Sequence, residues 1–191
     1  MRWLLALVLM AGAARAEDAG FPIDYDALFA AHADKVQQPE PGLRHLELPG
    51  PVIVTARDNG GVPTYFATDQ SGQGAVGCAM SVMIEVLVLA GHCDSVLDTG
   101  SIARLEGLIH AYGVFMAQNS FPPVPADQVL PRLQAMIRAR DARLGQFACP
   151  APDAADNQIV SMARSISSES AVRRAKRSLS KPRLPVLNPC L

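Results

Sequence analysis

The strongest constraint on this fold is an apolar segment with a cysteine near each end, residues 77–94 (GCAMSVMIEVLVLAGHCD). It is shorter than the roughly 20 residues of a membrane span, and a central carboxylate such as Glu85 is costly in lipid. The segment therefore predicts a buried helix. Alternating β-branched residues leave a buried strand as the alternative. These residues are Val82, Ile84, Val86 and Val88.

Residues 1–16 have the pattern of a cleavable secretory signal. Arg2 precedes the apolar residues 3–14, and Ala14-Arg15-Ala16 matches a small-x-small cleavage site. An uncleaved anchor is the alternative, although the apolar run is short for a span. Cleavage would leave one exported domain, residues 17–191. Abundant alanine and an excess of arginine over lysine indicate a bacterial source, so we expect a periplasmic or secreted protein.

In an exported chain, the four cysteines indicate two disulfides. A helix between Cys78 and Cys93 would separate their Cα atoms by about 22 Å. A disulfide spans roughly 7 Å at most, so this pairing is disfavoured. Four helical stretches are expected from residue 77 onward, and in up-and-down packing the ends of the first and third of these lie together. The same packing returns the C-terminal tail to the start of the first stretch. This arrangement predicts Cys93 with Cys149 and Cys78 with Cys190.

The remaining patterns predict an α+β fold that is predominantly helical. Apolar spacing predicts a helix over residues 21–36, and alternation predicts short strands over residues 43–68, with a hairpin at Asn59-Gly60. Residues 77–179 form the expected core, a small helical bundle stabilised by the disulfides. Its helical stretches are 77–94, 101–120, 126–145 and 153–179. The proline-rich residues 180–191 are expected to dock as a C-terminal strap.

Acidic and histidine side chains form two stripes on these helices. A spacing of seven residues places Glu85 and His92 on one helix face, and Glu106 and His110, four apart, share another. If the stripes faced each other, they would form the acid–base or metal site of a hydrolase. The simpler interpretation is that each stripe is the solvated side of its helix, with no catalytic residue among the four.

Other catalytic and metal motifs are weak. Cys93 lies between His92 and Asp94, but adjacent residues rarely bind one zinc ion together. Cys78 as a nucleophile would need a free thiol, which an oxidising compartment disfavours. Residues 72–77 match the letters G-x-G-x-x-G, yet a lone match predicts only a loop. We therefore predict no metal and no cofactor.

Charge is unevenly distributed along the chain. Residues 17–100 hold twelve acidic and three basic residues, whereas residues 101–191 hold six acidic and twelve basic ones. The densest basic stretch, called here the basic arm, comprises Arg173, Arg174, Lys176, Arg177, Lys181 and Arg183. It predicts anion contacts with a membrane surface or a protein partner, or else an intramolecular match with the acidic half. It lacks interleaved aromatic residues, so nucleic acid is not expected.

The function that fits these features best is that of a non-enzymatic accessory or binding protein. It would act through surface contacts, with a protein partner in the periplasm. A hydrolase built on the two stripes is the alternative.

Overall fold

A computed structural model describes residues 20–144, 149 and 158–190 of the chain. Within them, six α-helices and one four-stranded antiparallel sheet form a mixed α+β fold. The helices are α1 (Tyr25–Ala31), α2 (Val76–His92), α3 (Thr99–Asn119), α4 (Val129–Leu144), α5 (Gln158–Ser167) and α6 (Glu169–Ser178). The strands are β1 (Gln37–Glu40), β2 (Leu43–Leu48), β3 (Val52–Asp58) and β4 (Pro63–Asp69). The predicted signal, residues 1–16, lies outside the described residues.

The N-terminal helix is shorter than the expected 21–36. The Asp24 carboxylate accepts a hydrogen bond from the Ala27 amide at 2.9 Å and caps α1 there. The helix ends at Ala31, and a short 3₁₀ turn, Ala33–Lys35, follows it. The apolar spacing at 21–36 therefore overestimated the helix at both ends.

The sheet is larger than expected, because β1 precedes the short strands that were predicted over residues 43–68. The strands pair in chain order, each antiparallel to the next, and β3 and β4 flank the expected turn at Asn59-Gly60. The extra strand β1 contains Pro39. At the edge of a sheet the missing proline N–H is tolerated.

One face of the sheet is buried. Alternation along β3 directs Val52, Val54 and Ala56 to the same side. Apolar side chains from α1 and from the C-terminal strap complete this core; they include Leu28, Phe29, Leu184 and Val186. The strap therefore packs on the sheet as well as on the helices.

The helical layer has its own core around α2. This helix is buried along most of its length and packs on α3 and α4. The apolar segment at 77–94 is thus a helix and not the alternative strand. None of the described helices is long and apolar enough to span a membrane.

The last helical stretch is divided in two. The Ser168 hydroxyl accepts a hydrogen bond from the Ala171 amide and caps α6, so α5 ends at Ser167 and the chain turns. The expected beginning of this stretch, residues 153–157, lies outside the described residues.

Two disulfides connect distant parts of the chain, and one of them holds the end of the strap. The bonded pairs are Cys78–Cys190 and Cys93–Cys149, with Cα–Cα distances of 5.2 and 5.4 Å, and these are the pairs that the helix order predicts. The strap runs beside the start of α2, where the Gly77 amide donates a hydrogen bond to the Val186 carbonyl at 2.9 Å. A Cβ at Gly77 would lie 2.9 Å from that same carbonyl oxygen, so the strap requires glycine here.

Candidate functional site

The acidic and histidine stripe of α2 meets α4 and not the stripe of α3. Glu85 forms an ion pair with Arg140, and His92 Nε2 lies 2.6 Å from Asp141 Oδ1. Both α2 side chains are about half exposed, so Glu85 is a surface residue and not an acid inside the core. Exposed ion pairs of this kind contribute about 1 kcal/mol at most.

Glu106 and His110, the other two members of the predicted site, are exposed on α3. Across the described ranges, no group of three His, Cys, Asp or Glu side chains is placed to bind a metal ion. Helix α2 packs on both α3 and α4, and the face that carries Glu85 and His92 is the one that meets α4.

The basic arm divides into an exposed and a buried part. Five of its side chains are exposed on or just after α6, namely Arg173, Arg174, Lys176, Arg177 and Lys181. Arg173 Nη1 lies 3.2 Å from Glu169 Oε2, an (i, i+4) pair on the same helix. Arg183 was expected to belong to this arm, but it is buried and unavailable to an external anion.

Arg183 instead forms an internal ion pair with Asp69. Its Nε donates to Asp69 Oδ2 at 2.6 Å, and both side chains are fully buried. Its remaining N–H groups donate to the carbonyls of Ser178 at 2.7 Å and Gly74 at 3.1 Å. With Glu85–Arg140, this pair joins the acidic half of the chain to the basic half.

No protein-family model, curated protein or solved structure matches this chain. Two surfaces of the described residues are candidates for function, the basic face of α6 and a cleft beside α4.

The cleft lies where the N-terminal segment, α2, α4 and the strap meet. It has a volume of about 550 Å³ and mainly apolar walls. The polar residues that line it include Ser81, Arg140 and Arg143. Tyr25 also lines it, and burial raises the pKa of this phenol above its ordinary value.

The sequence patterns did not predict this cleft. Its only signal was the spacing of Met136, Arg140 and Arg143, which places these three residues on one face of α4. The opposing walls come from residues far apart in sequence, including Phe21 and Leu187. Periodicity within one helix does not show which distant segments will face it.

Proposed function

We propose that the protein is an exported, non-enzymatic accessory protein that contacts an anionic membrane surface through α6. The observation that carries this proposal is the cluster of exposed cations on and just after that helix: Arg173, Arg174, Lys176, Arg177 and Lys181. Only Glu169 opposes them on α6, and it is already paired with Arg173.

The spacing of these cations favours a flat anionic surface. α6 is ten residues long, which corresponds to about 15 Å at 1.5 Å per residue. Several charges therefore lie within about one Debye length, near 10 Å at moderate salt, and attract an anionic surface together. Each Lys or Arg close to such a surface contributes about 1 kcal/mol.

The disulfides support the exported location within this proposal. Disulfides persist in oxidising compartments such as the periplasm and the exterior. Two of them in this fold agree with the secretory pattern of residues 1–16. A protein partner with an acidic surface would use the same cations, and the experiment below separates it from a membrane.

Vesicle co-sedimentation tests the proposal. We expect the protein to bind mixed vesicles of phosphatidylglycerol and phosphatidylcholine at low salt and to dissociate from them at high salt. It should not bind vesicles of pure phosphatidylcholine. Replacing four cations with glutamine should remove most of the binding; they are Arg174, Lys176, Arg177 and Lys181. The control is Arg57→Gln with Arg138→Gln, two exposed cations elsewhere, compared with the two-charge variant Arg174→Gln with Arg177→Gln. Absence of binding at low salt would overturn the membrane contact and leave an acidic protein as the partner.

A hydrolase is the alternative, and one observation favours it. Asp141 Oδ1 lies 2.6 Å from His92 Nε2, and a carboxylate that orients an imidazole is part of many general-base sites. Elemental analysis of the purified protein tests this alternative. Stoichiometric metal that is lost in His92→Gln would favour the hydrolase over the accessory protein.

A further inference from the structure

We propose that the cleft beside α4 binds a small amphipathic carboxylate. The apolar body of the ligand would lie between α2, α4 and the strap, and its carboxylate would contact Arg143. This site is separate from α6 and does not rest on the proposed membrane contact.

The walls of the cleft suit an apolar ligand body. Phe21, Ile84 and Met116 are buried side chains that also face the cleft. Leu187 of the strap lines it while remaining 60 % exposed, which leaves apolar surface for a ligand to cover. A volume of about 550 Å³ lies inside the range of roughly 300–1,000 Å³ typical of small-molecule sites.

The charge at the rim selects an anion. Arg140 and Arg143 are three residues apart on α4, so both reach the same side of the cleft. Glu85 neutralises Arg140, whereas Arg143 is exposed and makes no ion pair with any residue that the structure describes. Among the residues that the structure describes, Arg143 is therefore the cleft guanidinium without an acidic partner, and a guanidinium binds a carboxylate through paired N–H donors.

Two tethers hold the walls in place before any ligand arrives. On one side, Arg132 Nη1 donates to the Gly20 carbonyl at 2.8 Å and fixes the N-terminal segment to α4. On the other, the Gly77–Val186 hydrogen bond and the Cys78–Cys190 disulfide fix the strap to α2. Preformed walls lower the ordering cost of binding, which favours the cleft as a site.

Isothermal titration calorimetry with decanoate, below its micellar concentration, tests the site. Decyltrimethylammonium serves as the probe with the same chain and the opposite charge. We expect decanoate to bind and decyltrimethylammonium to bind at least about five-fold more weakly, as one exposed ion pair of about 1 kcal/mol would give. Arg143→Gln should weaken decanoate by the same factor, while Arg138→Gln, on the same helix but outside the cleft, should not.

A filling variant tests the apolar part separately. Ala139 lines the cleft, so Ala139→Trp should abolish decanoate binding, whereas Ala142→Trp at an exposed neighbouring position should preserve it. Circular dichroism shows whether each variant folds. If Ala139→Trp does not fold, the Arg143→Gln result decides the proposal. Equal binding of the two probes, no binding of either, or unchanged binding in a folded Ala139→Trp would overturn the site. Variants of Arg174 and Arg177 should leave decanoate binding intact.

Discussion

Arg183 and Asp69, 114 residues apart in sequence, form a fully buried ion pair at 2.6 Å. The pair joins the strap to the end of β4, and the Arg183 guanidinium lies 5.6 Å from the centre of the Phe115 ring of α3. The carboxylate is also held in place, because Asp69 Oδ1 accepts a hydrogen bond from the Ser71 amide at 2.8 Å. One side chain thus connects the sheet, the strap and the helical core.

Removing either partner of this pair should strongly destabilise the protein. Arg183→Met leaves the Asp69 carboxylate buried without its cation, which typically costs about 3–5 kcal/mol. Urea denaturation measures this loss. The control is Arg173→Met, which breaks the exposed pair with Glu169 and should cost less than about 1 kcal/mol.

The double variant Asp69→Leu with Arg183→Met separates charge burial from packing. Because it removes both charges, it should be less destabilised than the sum of the two single variants. Additive losses would show that the ionic contact itself does not couple the two residues.

Gly77 should not tolerate a side chain. A Cβ there would lie 2.9 Å from the Val186 carbonyl oxygen and 3.0 Å from that of Pro185, and backbone cannot move aside as a flexible side chain can. We expect Gly77→Ala to lower the free energy of unfolding by about 1–3 kcal/mol. Gly107→Ala on α3 is the matched control, because nothing lies within 4 Å of its added Cβ. That change should stabilise the helix by up to about 1 kcal/mol, and equal effects at both sites would contradict the close approach of the strap.

Each disulfide should stabilise the fold by a similar amount. The sequence separations are 112 for Cys78–Cys190 and 56 for Cys93–Cys149. A doubling of loop length changes the loop-closure free energy by only about 0.6 kcal/mol. We expect each paired Cys→Ala variant to lose about 2–5 kcal/mol in urea denaturation.

The two disulfide variants should differ in where the chain opens. Only the loss of Cys78–Cys190 frees the end of the strap, so limited proteolysis should cleave within residues 180–190 in that variant and not in the other. Cleavage of the strap in both variants would mean that the packing of the whole fold, and not this bond alone, protects the strap.

Asp98 should contribute a pH dependence at the start of α3. Its carboxylate accepts hydrogen bonds from the amide and the hydroxyl of Ser101, both at 2.8 Å, and these hold its pKa below the ordinary 3.8. Since the folded pKa is lowered, the stabilisation is complete above 3.8 and is lost as the pH falls through the folded value. We expect Asp98→Asn, which keeps an acceptor without the charge, to flatten the fall in stability below pH 3.8. Chemical denaturation across this range measures it, and identical pH profiles would remove Asp98 as a contributor.

Local patterns were sufficient for most secondary structure. Helical periodicity located α2 to α4 within a few residues, and the turn signal Asn59-Gly60 located the β3–β4 hairpin. They failed where local and tertiary preferences conflict. In the local sequence, Pro39 is typical of a residue that ends a helix. Strand β1 nevertheless forms, because the edge of the sheet does not need the proline N–H.

The sites were less predictable than the elements. The stripe of Glu85 and His92 was visible in the sequence, but its partners Arg140 and Asp141 depend on which face of α2 meets α4. Arg183 looked like one more exposed cation in the basic arm. Only its position opposite Asp69, set by the docking of the strap, made it a buried structural residue.

The sequence by itself determined the α+β class, the order of the helices and the exclusion of a Cys78–Cys93 disulfide. These follow from apolar periodicity, turn residues and the reach of a disulfide, which act over short distances or by elimination. The tertiary structure alone decided which charges are buried and where the cleft opens. Both depend on segments far apart in the chain, such as Phe21, Arg143 and Leu187, and no local pattern specifies how such segments pack.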